Sequence, residues 1–135
     1  MNKQLFTQEQ LSLYLDGSYC ETAEPRLVGG VVMLPLEAVA AGMGRSVDHD
    51  REMGVAVMFA RYIYERKTLT VRYFAQDGKV EKSYFYHNGE FLDEAKAELF
   101  DGELYVPVGV FQKIGWEVSV SEQGNINLRL EESKE

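Results

Sequence analysis

The chain has 135 residues, of which 45% are hydrophobic and 27% are charged, a composition typical of a globular protein and unlike that of a disordered or fibrous one. Its 14 basic and 22 acidic residues give a net charge of −8, so its electrostatic field repels phosphate backbones and anionic lipid surfaces. We therefore expect no nucleic-acid partner, and no membrane insertion because no apolar run approaches the roughly 18 residues of a membrane span.

The first 64 residues predict strands around one short helix. Apolar and polar residues alternate between Leu11 and Leu15, which is the period of a strand with one buried face. A second strand over 31–34 leads into Pro35, whose fixed φ and missing N–H suit the first position of a helix. The apolar spacing after this proline predicts one helical face made of Leu36, Val39, Ala40 and Met43. Gly44 ends this helix, and a β-rich stretch is expected over 54–64.

A hairpin is predicted in the middle of the chain. The runs 69–75 and 79–86 flank Asp77-Gly78, and tight hairpin turns need positive φ at both central positions, which this dipeptide tolerates. The hairpin therefore connects the two halves of the chain.

The second half of the chain repeats the plan of the first half. Pro107 stands 72 residues after Pro35, and each proline follows a glycine turn and a short strand and precedes a helical pattern. The second helical face is predicted to carry Val108, Phe111 and Ile114. We therefore predict an α+β fold of two tandem modules, 1–66 and 67–135, each a mostly antiparallel β-sheet with one short helix packed on it. The central hairpin bridges the modules, which pack as one pseudo-symmetric unit.

These motifs resemble the copper amine oxidase N-terminal-like domain over most of the chain. Its structural pattern is matched first by Asp16-Gly17, Leu34-Pro35-Leu36 and Met43-Gly44, and again by Asp101-Gly102, Val106-Pro107-Val108 and Ile114-Gly115. The resemblance implies a non-catalytic stalk module, usually present in tandem on exported proteins of Gram-positive bacteria. It implies a location in the cell envelope or outside the cell, whereas a cytoplasmic location is expected if Met1 is the true start.

Enzymatic chemistry finds little support in the residue types. In the amine oxidases that carry the resembling domain, a separate catalytic domain holds copper with three histidines and contains a quinone made from tyrosine. This chain has two histidines and no Asn-Tyr dipeptide, so we expect no cofactor and no enzyme activity. The densest group of metal-binding or acid–base residues is Asp48, His49 and Asp50, for which we predict a solvated turn because adjacent side chains point in different directions. A metal site in a small metal-dependent hydrolase is the alternative.

Aromatic residues crowd the central strands and indicate an interaction surface. Counting from the hairpin turn places Val71 opposite Tyr84 on the buried face, so Phe74 and Phe85 are expected to share the other face. The candidate interaction surface comprises Tyr62, Tyr64, Phe74 and Phe85. We expect a protein or cell-wall glycan as partner, and a homodimer through an exposed edge strand is a further expectation. A cytosolic oligomeric adaptor is the third functional hypothesis.

Overall fold

The computed structural model describes residues 6–60 and 69–130, which form mainly short β-strands. A 3₁₀ turn at Gln8–Gln10 precedes the first strand. The strands and helices of the described ranges are β1 (Ser12–Leu15), β2 (Ser18–Tyr19), β3 (Arg26–Val28), β4 (Val31–Pro35), α1 (Leu36–Gly42), β5 (Arg45–Asp50), β6 (Val55–Ala60), β7 (Leu69–Gln76), β8 (Lys79–His87), β9 (Glu90–Asp93), β10 (Glu98–Phe100), β11 (Glu103–Pro107), α2 (Gly109–Lys113), β12 (Glu117–Val120) and β13 (Asn125–Arg129).

The strands form three sheets that are mostly antiparallel, as the sequence predicts. We call them the terminal sheet, with the order β12-β13-β1-β2, the central sheet, β10-β11-β4-β3, and the five-stranded sheet, β5-β6-β7-β8-β9. Among the described strands one pair is parallel: β1 lies beside β13, with Leu13 opposite Ile126 and Leu15 opposite Leu128. Strands from the two ends of the chain therefore share one sheet.

The central sheet brings together the two segments that repeat in the sequence. Each segment forms a hairpin, β3–β4 or β10–β11, and β4 pairs antiparallel with β11. The register places Leu34 opposite Val106, which are the residues directly before Pro35 and Pro107. Leu34 and Val106, which the sequence repeat aligns with each other, therefore lie directly opposite each other on neighbouring strands.

Both helices begin later than the prolines predict. Pro35 still belongs to β4, where it lies opposite Tyr105, and its extended ψ of 118° makes it the N-cap of α1, which begins at Leu36. The four apolar residues predicted for the inner face of α1 are buried, and Gly44 comes next with a φ of +72°. In α2 the N-cap is Val108, which is half-buried against the core, whereas the other two residues predicted for the inner face, Phe111 and Ile114, are buried as predicted. The buried side chains of this second helical segment are Val110, Phe111 and Ile114.

One hydrophobic core connects the two halves of the chain. Its largest fully buried side chains include Leu13, Leu34, Leu36, Phe85, Phe111 and Leu128. The predicted module boundary between residues 66 and 67 lies outside the described residues. None of the helices within 6–60 and 69–130 is long and apolar enough to cross a membrane.

The β7–β8 hairpin turns at residues 77–78, as predicted, but its register differs from the prediction. Both turn residues have positive φ. Beyond the turn the ladder skips Glu81, which forms a β-bulge in β8. Val71 therefore lies opposite Phe85, and the prediction that it lies opposite Tyr84 is wrong.

The bulge has a physical reason in the core. Val80 and Phe85 are both buried, yet their positions differ by an odd number and their side chains would point to opposite faces of a regular strand. The extra residue at Glu81 reverses the alternation, so both side chains reach the core. The expectation that Phe85 faces outward with Phe74 is therefore wrong.

Candidate interaction surface

The five-stranded sheet packs one face on the core and turns the other toward solvent. The register aligns one residue from each strand in a row across this outer face: Asp48, Val57, Thr70, Tyr86 and Phe91. The adjacent row takes one residue from each of four strands: Asp50, Val55, Arg72 and Tyr84. All of these side chains are half-buried or exposed. We call this outer face the aromatic face, because its solvent-facing rings set it apart.

Two edge-to-face ring pairs define the aromatic face. Tyr86 and Phe91 have ring centroids 5.9 Å apart at an interplanar angle of 75°, and Phe91 is 61% exposed. Phe74 and Tyr84 form a second pair at 6.2 Å and 79°, and Phe74 is 48% exposed. The Arg72 guanidinium lies 5.9 Å from the centre of the Phe74 ring. Such pairs hold the rings in defined orientations while leaving much of their surface in water.

The predicted interaction residues do not lie on one face of the structure. Phe74 lies on the aromatic face, whereas Phe85 is 0% exposed on the opposite face and offers a partner no surface. Tyr62 and Tyr64 lie outside the described residues. The aromatic residues of this face that the sequence analysis missed are Tyr84, Tyr86 and Phe91. The sequence shows that Tyr84 and Tyr86 share one face of their strand. A regular strand without the bulge would place that face on the core, so both residues were predicted to be buried.

The Asp48, His49 and Asp50 group lies within β5 and not in a turn. The two carboxylates point to the outer face and the imidazole points to the core, because successive residues of a strand alternate. The predicted solvated turn is therefore wrong for His49, whose side chain is 2% exposed. The three side chains do not converge on one point.

His49 instead connects β5 with β7 and α1. Its Nε2 lies 2.6 Å from the hydroxyl of Tyr73, and its Nδ1 lies 3.5 Å from the Glu37 carboxylate without forming a hydrogen bond. Burial lowers the pKa of His49, the nearby Arg51 charge lowers it further, and Glu37 opposes both. Arg51 also donates to the carbonyl oxygen of Gly102 and to Glu37. This cluster is a structural connection between the sheets, with a neutral imidazole at its centre near pH 7.

A comparison with protein-family models matches residues 14–128 to the copper amine oxidase N-terminal domain. The chain belongs to this family. The match contains strands of all three sheets and both helices, and it confirms the family that the sequence motifs resemble. The copper amine oxidase N-terminal domain is non-catalytic. Comparisons with curated proteins and with solved structures found no match.

The family name raises the question of a metal site in this copper amine oxidase N-terminal domain. Within residues 6–60 and 69–130, no group of three or more His, Cys, Asp or Glu side chains is arranged to hold a metal ion. The two histidines lie on different strands, His49 on β5 and His87 at the end of β8. The aromatic face carries the exposed ring pairs Tyr86–Phe91 and Phe74–Tyr84, and we take it as the candidate interaction surface.

Proposed function

We propose that this copper amine oxidase N-terminal domain is a non-catalytic interaction module, and that its aromatic face binds a protein partner. The observation that carries the proposal is the set of exposed, mutually oriented rings on one sheet face. Exposed aromatic surface is unfavourably hydrated, and aromatic residues are enriched at the centres of protein interfaces. Contact with a partner would remove this surface from water.

The distribution of the other side chains on this face supports a protein partner. Val55 and Val57 lie on β6, beside the acidic edge strand that carries Asp48 and Asp50, and the central strand β7 contributes Arg72. Aromatic residues and arginine are enriched at protein interfaces. Five strands spaced about 4.8 Å apart give a face roughly 20 Å wide. A partner covering a face of this width buries an area at the small end of the range for stable protein interfaces. We therefore expect a reversible contact.

We also propose that the chain consists of two tandem modules and acts as a spacer. The antiparallel pairing of Leu34 with Val106 supports the first part, because a local two-fold relation between duplicated hairpins would produce this register. The parallel pairing of β1 with β13 supports the second, because it places the start of β1 and the end of β13 at opposite ends of the terminal sheet. A partner at the bacterial surface is a proposal that rests on the family resemblance alone.

Site-specific photo-crosslinking in the cells that produce the protein tests the proposed contact. A Phe91→benzoylphenylalanine variant places the reactive group on the aromatic face, and a Val31→benzoylphenylalanine variant places it at an exposed position of the central sheet. We expect a discrete protein adduct from position 91 and none from position 31. Adding Tyr86→Ala should remove the adduct at position 91 while leaving the melting temperature within a few degrees, since Tyr86 is half-buried on the outer face.

The mass of the adduct identifies the class of partner. An adduct of twice the chain mass means a homodimer that uses this face, and an adduct with another protein supports the proposal directly. Equal labelling from both positions, an adduct of glycan only, or no adduct at position 91 would refute a protein contact at the aromatic face. The geometry favours no second function, because the residues of the hydrolase hypothesis do not converge.

A further inference from the structure

The outer face of the terminal sheet carries a row of uncharged polar side chains. The register places Tyr19 opposite Tyr14, Tyr14 opposite Asn127, and Asn127 opposite Ser119, with one residue from each of the four strands. Neighbouring strands lie about 4.8 Å apart, so the row is roughly 14 Å long. We call it the tyrosine–amide row.

The tyrosine end of the row presents aromatic surface on a rigid support. The rings of Tyr14 and Tyr19 are 5.6 Å apart at an interplanar angle of 60°, and Tyr19 is 60% exposed. Leu13 and Leu15, the neighbours of Tyr14 in β1, are buried in the core and hold the strand in place. The position of the Tyr14 ring is therefore set by the packing of the strand on which it stands.

The amide end of the row has unused hydrogen-bonding capacity. The side chains of Asn127 and Ser119 lie next to each other on β13 and β12, and neither forms a hydrogen bond with another described residue. Together with Glu117 and Arg129 they line an open depression of about 240 Å³. Neighbouring amide and hydroxyl groups can together donate and accept hydrogen bonds. Two adjacent hydroxyl groups of a sugar ring need partners of both kinds.

We propose that the tyrosine–amide row binds a neutral, extended oligosaccharide. The C–H faces of sugar rings pack on the negatively polarised faces of tyrosine rings, and the sugar hydroxyls pair with Asn127 and Ser119. The row itself carries no charge, and Glu117 and Arg129, which lie opposite each other beside it, contribute one charge of each sign, so the site as a whole has no net charge to select an anion or a cation. The depression is smaller than the roughly 300–1,000 Å³ of small-molecule pockets, so the ligand lies along the surface.

This binding site is independent of the protein contact proposed above. The aromatic face and the tyrosine–amide row belong to different sheets and share no residue.

Titration of the ¹⁵N-labelled protein with soluble tetrasaccharides tests the proposal. The probes are chitotetraose, which is an extended neutral chain, and a hyaluronan tetrasaccharide, which is anionic. We expect amide shifts at Tyr14, Tyr19, Ser119 and Asn127 with chitotetraose, saturating in the submillimolar to millimolar range, and at least tenfold weaker effects with hyaluronan. Tyr14→Ala and Asn127→Ala should each weaken binding at least fivefold, whereas Phe74→Ala on the aromatic face should leave it unchanged.

Several outcomes would overturn the proposal. They are the absence of shifts with 10 mM chitotetraose, shifts that map to the aromatic face, and equal binding of the anionic probe. If Tyr14→Ala unfolds the protein, Tyr19→Ala replaces it, because this exposed residue on the edge strand β2 contributes little to the core. Unchanged affinity in both Tyr19→Ala and Asn127→Ala would also refute the site. Loss of the crosslink at Phe91 with retained saccharide binding would show that the two surfaces act separately.

Discussion

Truncation of two neighbouring aromatic residues tests the bulge that orients β8. Phe85→Ala removes a ring that is fully buried in the core, and such truncations cost about 3–5 kcal/mol in the free energy of unfolding. Tyr84→Ala removes a half-buried ring whose main contact is the edge-to-face pair with Phe74, worth about 1 kcal/mol. The two variants should therefore differ by roughly 2–4 kcal/mol, although the residues are adjacent and similar in size.

Urea unfolding measures this difference, with the fluorescence of Trp116 as the probe. Trp116 is the only tryptophan, is buried and stacks on Phe111, so its emission reports loss of the core. A domain of this size has a stability of about 5–15 kcal/mol, so Tyr84→Ala should remain folded in the absence of urea, and Phe85→Ala should remain folded when the wild-type stability exceeds about 6 kcal/mol. Comparable losses in the two variants, or a larger loss for Tyr84→Ala, would mean that β8 follows the bulge-free register. The bulge at Glu81 would then be refuted.

Three further predictions concern the turns, the pH dependence and a buried hydroxyl. Gly54→Ala should lower the free energy of unfolding by about 3 kcal/mol or more, because the φ of Gly54 is +71° and a Cβ there would overlap the backbone oxygen of Tyr73. In the control variant Gly78→Ala the Cβ meets open space, so the cost should be about 1 kcal/mol. Equal urea midpoints for the two variants would contradict this prediction. Because the pKa of His49 is lowered in the folded state, the unfolded chain binds the proton more readily, and the stability of the wild type should fall as the pH drops below the unfolded pKa of 6.5. His49→Gln should reduce this pH dependence. If stability changes equally with pH in the wild type and in His49→Gln between pH 7.5 and 5.5, the prediction is wrong. The Ser83 hydroxyl donates a hydrogen bond to the carbonyl of Ala95 and accepts one from the N–H of Ala97. Ser83→Ala should therefore lower the free energy of unfolding by about 1–3 kcal/mol and speed the hydrogen exchange of the Ala97 amide, which NMR measures. Full protection of this amide in the variant would show that the hydroxyl is dispensable.

Much of the local structure could be predicted because it depends on short stretches of chain. The aspartate–glycine turn at residues 77–78 occurs where predicted, since the required φ values are a property of those residues themselves. The alternation around Leu13 and the apolar face of α1 were equally readable, because side-chain period is set by backbone geometry. The family was recognised for the same reason, since its motif consists of turn glycines and prolines before the helices.

The candidate surfaces needed the tertiary structure. The position of Phe85 depends on a bulge that forms because Val80 must also reach the core, and no local pattern requires Glu81 to be the extra residue. The burial of His49 likewise depends on Glu37 and Tyr73, which come from other elements.

The sequence by itself determined the turn at residues 77–78, the approximate positions of several strands and of both helices, and the family. Only the tertiary structure decided which residues share a face, because β1 and β13 come from opposite ends of the chain and still lie side by side. The tyrosine–amide row exists only through that pairing, which joins Tyr14 to Asn127. Packing of a common core selects such long-range pairings, and the hydrophobic effect that drives it acts between side chains regardless of their separation in sequence.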